Sequence, residues 1–179
     1  MIHISTDCVF SGKKGRYVES DQPDAEDLYG RTKLLGEVVY PHTITLRSSI
    51  IGRELKTHFG LIEWFLGQTG TIWGYKKAIY TGFTTDELSR IILNYVIPRT
   101  DLSGLYHVSS DPISKYDLLM LAKDSFGRDL TILPDEDFVS DRSLDSSRFR
   151  QITDYKPPTW TAMIDELERN SSLYDRLGG

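Results

Sequence analysis

Apolar residues recur along the chain in two periods, one of about two and one of about 3.6, and the elements they predict alternate as well. Met1-Ile2-His3-Ile4 reads as a short strand that begins at the first residue. From about Asp27 to Tyr40 the period becomes helical, with Leu28, Leu35 and Val39 near one face and Pro41 stopping the run. Thr43 to Arg47 alternates as a strand and runs on to Ile51, where Gly52 breaks it. A helix is predicted over Phe59 to Leu66, ended by Gly67, and Gly70 to Thr81 reads as short strands among turn residues, carrying Trp73, Tyr75 and Tyr80. Thr84-Thr85-Asp86-Glu87 is a capping box. It opens a helix with Leu88, Ile91, Ile92, Tyr95 and Val96 on one face and Pro98 as its end. Leu105 to Val108 is a strand, Ser114 to Asp117 caps a helix that runs to Phe126 and stops at Gly127, and Asp129 to Leu133 is another short strand. Ser146 to Ile152 forms one or two helical turns, and Trp160, Met163, Ile164 and Leu167 mark an amphipathic terminal helix. Alternation of this kind predicts an α/β fold rather than segregated layers.

Composition narrows the class. The 179 residues fit one domain or two small ones. With 39% hydrophobic and 11% aromatic residues the chain can build a core. Lysine and arginine number 21 against 26 acidic residues, so the net charge is −5. That balance argues against phosphate-backbone binding, and nucleic acid is not an expected partner. No apolar run approaches the ~18 residues of a membrane span, and Met1-Ile2-His3 is not a secretory signal. Cys8 stands alone and cannot close an intrachain disulfide, which points to a reducing, cytoplasmic setting. Beside Val9 and Phe10, with no histidine near, it reads as a small buried hydrophobe rather than a nucleophile.

Three further features read as structural. Gly12 and Gly15 lack the rest of a phosphate-cradle pattern and are taken as a solvated turn. Asp135-Glu136-Asp137 is taken as a solvated acidic loop. None of His3, His42, His58 and His107 pairs with another at helical spacing, so no metal site is expected.

Candidate chemistry gathers in the first 33 residues. A strand ends in Ser5-Thr6-Asp7, at the carboxyl end where α/β sheets place their active crevice. A helix then carries Tyr29-Gly30-Arg31-Thr32-Lys33, with Tyr29 and Lys33 on one face and Gly36 leaving room on it. Alone, the pair is weak: chance gives roughly half a match in such a chain, and a solvated tyrosine–lysine pair is the competing reading. The order of strand, hydroxyl residues, loop, Tyr-Lys helix and second strand ending Leu46-Arg47-Ser48-Ser49 raises its weight. A free phenol titrates near ~10, too high for neutral acid–base work, and a neighbouring ammonium lowers that value. Lysine can also donate to the vicinal hydroxyls of a ribose. A threonine hydroxyl beside the phenol can help hold a carbonyl oxygen as charge develops on it.

Ile4-Ser5-Thr6-Asp7-Cys8-Val9-Phe10-Ser11-Gly12 and Tyr29-Gly30-Arg31-Thr32-Lys33-Leu34-Leu35-Gly36-Glu37 closely resemble the extended short-chain dehydrogenases/reductases, and among them the dTDP-4-dehydrorhamnose reductases. Leu46-Arg47-Ser48-Ser49, Gly104-Leu105-Tyr106-His107-Val108-Ser109 and, in shortened form, Arg142-Ser143-Leu144-Asp145-Ser146-Ser147 continue the likeness. The resemblance implies the carboxy-terminal part of a Rossmann-like parallel sheet plus a small α/β substrate-binding domain. Residues 1–58 would belong to the first and 59–179 mainly to the second, with the helix over 84–97 packing back on the sheet. It implies reduction of a 4-keto sugar nucleotide with NADP(H) or NAD(H), in deoxysugar or polysaccharide biosynthesis. Tyr29 would be the general acid and Lys33 its partner and cofactor-ribose ligand. Thr6 would help hold the carbonyl, Asp7 would neighbour the sugar, and Arg142 would meet the diphosphate. For Arg142 a solvated surface arginine competes on even terms. Cys8 stands where these reductases often have tyrosine, which leaves the sugar open. A related epimerase or dehydratase, or a non-catalytic regulatory or binding subunit with this fold, are the alternatives.

The family's nucleotide-binding half opens with a G-x-x-G-x-x-G turn, and no such motif occurs in this chain. The chain therefore reads as a remainder, with about 100 residues in two or three βα units expected before Met1. Exposed sheet edge and apolar surface would follow, and with them a homo-oligomer or association with the missing amino-terminal half.

Overall fold

The computed structural model describes residues 1–57 and 59–177; the boundary expected at 58/59 falls on His58, which lies outside the described residues, and the expectation that His58 holds no metal falls outside them too. A parallel three-stranded sheet is built from β1 (Ile2–Thr6), β2 (Ile44–Ser48) and β6 (Gly104–His107), in the order β1-β2-β6. Parallel pairing needs long crossovers, and segments carrying helices fill both of them here. All five residues of β2, the central strand, are buried. β6 joins this sheet from the carboxy-terminal side, so strands from both sides of position 58 build it.

After Ser48 the chain steps out of the sheet. β3 (Ile50–Ile51) pairs in parallel with β5 (Phe83–Thr84) instead. A third sheet places β4 (Gly70–Tyr80) between β7 (Ile113–Ser114), antiparallel, and β8 (Leu130–Asp141), parallel. The short strands expected over 70–81 are thus one strand of 11 residues. The expected acidic loop lies within β8, which is 12 residues long. Tyr75 is in register with Asp135 but Lys77 with Val139, and the extra residues bulge outward. The Asp135 carboxylate closes that bulge by accepting from the backbone N–H groups of Asp137 and Phe138.

Helix α1 (Leu28–Leu35) starts on the Asp27 side chain, which accepts from the Gly30 N–H, and ends at Gly36, well before Tyr40. The apolar face expected from Leu28, Leu35 and Val39 is exposed. The residues turned inward are Gly30, Lys33 and Leu34, because the sheet receives this helix through close backbone approach and polar contacts. Gly12 and Gly15, expected in a solvated turn, are buried. Both have positive φ, 87° and 74°, and a Cβ on Gly15 would strike the Asp141 side chain.

α2 (Leu61–Leu66) is shorter than expected by two residues at its start. The Thr84 and Ser114 hydroxyls cap α3 (Thr85–Ile91) and α4 (Lys115–Ser125) as their sequences predict. The reciprocal half of the first box does not form: Glu87 accepts from the Tyr155 hydroxyl at 2.7 Å and pairs with Arg90 instead. Past Ile91 the helix widens into one π turn over Ile92–Val96. α5 (Ser147–Thr153) and α6 (Trp160–Leu177) complete the chain. Met163, Ile164 and Leu167 of α6 are buried in the main core with Leu46 and Tyr106 of the sheet and Leu88 and Ile91 of α3. Val9, Phe10, Tyr17 and Leu144 form a small second core beneath the chain's first loop.

Candidate active site

β1 ends by turning directly into a 3-10 turn over Asp7–Val9. The Thr6 hydroxyl starts that turn, accepting from the Cys8 N–H at 3.1 Å, and donates to the Asp7 carboxylate at 3.2 Å. Thr6 is therefore buried and engaged in the free chain. Burial raises the Asp7 carboxyl above its ordinary value, against the opposing pull of the Thr6 and Cys8 hydrogen bonds and the charges of Arg142 and Lys115. Burial likewise pushes the Cys8 thiol up, and the Asp7 charge adds to the rise.

α1 lies over this turn. Gly30 rests on the Cys8 carbonyl and on Ala25 so closely that no side chain fits between them. One turn on, the Lys33 ammonium donates to the Ile4 carbonyl of β1 at 2.7 Å. Tyr29 stands on the outside of the helix, 57% exposed. Its phenol makes no hydrogen bond to Thr6 or Lys33, so the structure sets the three groups around one strand end without joining them. Gly36 is the exposed end of the helix.

The same turn borders a cavity of about 180 Å³, lined by Asp7, Cys8, Ser49, Tyr80, Lys115 and Arg142 among others. It brings Asp7 and Arg142 together. Arg142 donates to the Cys8 sulfur at 3.4 Å, while its Nε is buried without a hydrogen-bond partner. Cys8 is thus half-buried in a polar wall, a correction to its reading as a buried hydrophobe. The Tyr80 hydroxyl is also buried and unpartnered. Burial pushes its phenol up, with the Ser49 side chain opposing the rise but not reaching it in a well-formed hydrogen bond, so it stays protonated.

Lys115, the first residue of α4, also lines a second cavity of about 600 Å³ with Phe59, Trp64, Trp73 and Tyr75. Phe59 and Trp73 are 92% and 59% exposed. Sequence reasoning missed Lys115, which it treated only as part of a cap, and Tyr80. It noted Trp73, Tyr75 and Tyr80 only as aromatics in a stretch of short strands, and their recurrence was the signal available.

The residues suit one end of a nicotinamide dinucleotide. Lys33 spends one proton on Ile4 and keeps two for a ribose diol. The pyrophosphate end finds no cradle among the described residues. Of the two positive-φ glycines in the chain's first loop, Gly15 is covered by the Asp141 carboxylate and Gly12 by Ser140 and Arg142, so neither is open to a pyrophosphate.

The family model described as RmlD substrate binding domain matches residues 1–61, the segment holding both motifs. Methionine adenosyltransferase 2 subunit beta of Danio rerio is 27% identical over 139 residues, covering 70% of this chain and 43% of that protein. The structure of dTDP-4-dehydrorhamnose reductase from Bacillus anthracis in complex with NADP superposes with a TM-score of 0.80 at 20% identity, over 95% of this chain and 65% of that one. A hypothetical dTDP-4-dehydrorhamnose reductase from Sulfolobus tokodaii is 30% identical with a TM-score of 0.69, over 89% of this chain and 61% of that one. Sugar-nucleotide epimerase and dehydratase structures share the fold. The resemblance and the α/β Rossmann-like class expected from the motifs are borne out, and the chain spans less than two thirds of each of these relatives.

Proposed function

We propose that this chain carries the substrate-binding and proton-transfer groups of an NAD(P)H-dependent reductase of a 4-keto sugar nucleotide, of the dTDP-4-dehydrorhamnose reductase type. One observation carries the reading. Tyr29 stands open beside Lys33, whose ammonium is fixed to the strand that ends in Thr6, and the turn after Thr6 forms the wall of a cavity holding Asp7, Lys115 and Arg142.

In this reading the bound cofactor supplies a hydride to C4 of the sugar. Tyr29 gives its proton to the carbonyl oxygen, and the product is an alcohol. Lys33 holds the ribose with its two remaining protons and favours the phenolate left behind. The Thr6 hydroxyl turns from Asp7 to the carbonyl oxygen. Lys115 and Arg142 face the diphosphate, and the aromatic cavity beyond Lys115 receives the base. The unpaired edge of β1 and the exposed apolar side of α1 would be covered by cofactor-binding βα units or by a second copy. The setting in this reading is cytoplasmic deoxysugar or polysaccharide biosynthesis. Among the described residues no helix is long and apolar enough to cross a membrane.

The test mixes the chain, alone and with the polypeptide encoded directly upstream, with NADPH or NADH and dTDP- or UDP-linked 4-keto sugars. Cofactor oxidation with formation of the 4-hydroxy sugar nucleotide is expected. No turnover under any combination would sink the reductase reading. A second reading, a non-catalytic subunit, is favoured by the Danio rerio relative, which is by name a subunit. Retained binding of a sugar nucleotide without turnover would support it.

A further inference from the structure

α1 is held on the sheet with little apolar packing. Gly30 is its only buried residue, and an eight-residue helix is not stable by itself. Just beyond its Gly36 cap, the Glu37 side chain turns back onto the sheet. Its two oxygens accept from Nε and Nη2 of Arg47, both at 2.7 Å, and one also accepts from the Ser5 hydroxyl at 2.6 Å. The side chains of Arg47 and Glu37 are 3% and 10% exposed. Arg47 Nη1 lies 3.4 Å from Nε2 of His107, whose Nδ1 is 2.9 Å from the Tyr17 carbonyl. A carbonyl only accepts, so Nδ1 carries the proton and Nε2 accepts from Arg47. The backbone N–H of His107 donates to the Glu19 carboxylate at 2.9 Å. Ser5, Arg47 and His107 are in register across all three strands, one row before Thr6 and Ser48.

We propose that Glu37 is the positioning residue of this site. Its carboxylate, fixed to Arg47 and Ser5, sets where α1 stands over β1 and so places Tyr29 and Lys33 relative to Thr6. The proposal rests on the reductase reading only for what that placement accomplishes. Besides the packing of Leu34 against the small second core, three contacts fix the helix: Gly30 marks the first turn of α1, Lys33 the second, and Glu37 its end. Two of these three are hydrogen bonds, which are directional and fix rotation as well as distance. The fork to Arg47 is the stronger, being bidentate, charged and buried.

The first arm uses hydrogen exchange on the full chain and needs no catalysis. Glu37→Gln keeps shape and one acceptor but loses the charged fork. Amides of residues 30–36 should exchange at least about tenfold faster, while those of β2 and β6 stay within about twofold. Glu37→Asp, which keeps the charge, should restore much of the protection. Equal loosening of all elements would make the pair a general fold stabiliser and overturn the proposal, as would unchanged exchange in α1. Should Glu37→Gln not fold, Glu37→Gln with Arg47→Met removes the stranded cation, and the same selective loosening is expected. The second arm reads turnover: kcat should fall about tenfold or more with KM for the sugar nucleotide within about twofold. A raised KM with unchanged kcat would also overturn it. If the parent protein turns over no substrate, the reductase reading fails and the exchange arm still decides the role of Glu37.

Discussion

Replacing Gly30 with alanine adds one methyl group at the point where the helix bearing Tyr29 and Lys33 meets the strand bearing Thr6. A Cβ there would stand 2.6 Å from the Ala25 methyl and closer still to the Cys8 carbonyl oxygen. Carbon contacts settle at about 3.5–4.0 Å, so α1 must retreat by roughly 1 Å or the Cys8 turn must deform. Backbone on one side and a short methyl on the other leave no flexible end to yield. Two opposing effects set the sign. Alanine is the better helix former by about 1 kcal/mol, while overpacking costs about 1–3 kcal/mol. The expected net loss is therefore about 0–2 kcal/mol, a small change in melting temperature. The effect on the site should be larger, since a displacement of about 1 Å can cost about a hundredfold in turnover. Urea melts paired with hydrogen exchange on α1 give the check without a substrate, and cofactor oxidation adds the catalytic reading. Gly30→Ala with parental exchange in α1 and parental turnover would show that the close approach to Cys8 does not govern the site.

Tyr29→Phe should abolish reduction while sugar-nucleotide binding, followed by calorimetry, stays within about twofold; retained turnover would remove Tyr29 as the acid. Lys115→Met should weaken binding of a nucleoside diphosphate sugar by about tenfold or more and leave the bare nucleoside unaffected. Equal weakening of both would place Lys115 against the base instead. Stability should fall on acidification below about pH 6.5. Burial holds the folded His107 below its ordinary value of 6.5, so the unfolded chain takes up a proton that the folded chain refuses. His107→Asn should flatten that slope between about pH 7 and about pH 5.5, and an unchanged slope would assign it to other groups.

What could be read in the sequence is what local chemistry decides. Thr84 and Ser114 cap their helices because a hydroxyl reaches an amide three residues on, whatever the rest of the fold does. Trp160, Met163, Ile164 and Leu167 are buried because a helical period needs only one apolar neighbour. Of the candidate site, the strand end at Thr6 and the helix carrying Tyr29 and Lys33 were legible. Long-range choices were not. β4 and β8 run as long strands because Gly70 meets Leu130 sixty residues away, and no local pattern states that partner. Glu87 leaves its capping box because Tyr155 arrives with a hydroxyl. Lys115 joins Cys8 only through the fold, which is why the cap alone was seen.

The apolar residues of α1 point the other way: Leu28 and Leu35 suggested burial, and the structure turns Gly30 and Lys33 inward in their place. Lys33 then serves two ends with one ammonium, since the bond to Ile4 helps hold the helix down and the same nitrogen is the group offered to a ribose. A substitution at Lys33 would remove anchor and ligand together, and lost activity would not tell which mattered. Glu37 separates the two, because it anchors the end of the helix to Arg47 and leaves Tyr29 and Lys33 chemically intact. If turnover follows the Glu37 anchor while Lys33 keeps its ammonium, the placement of α1 is a requirement of the chemistry in its own right.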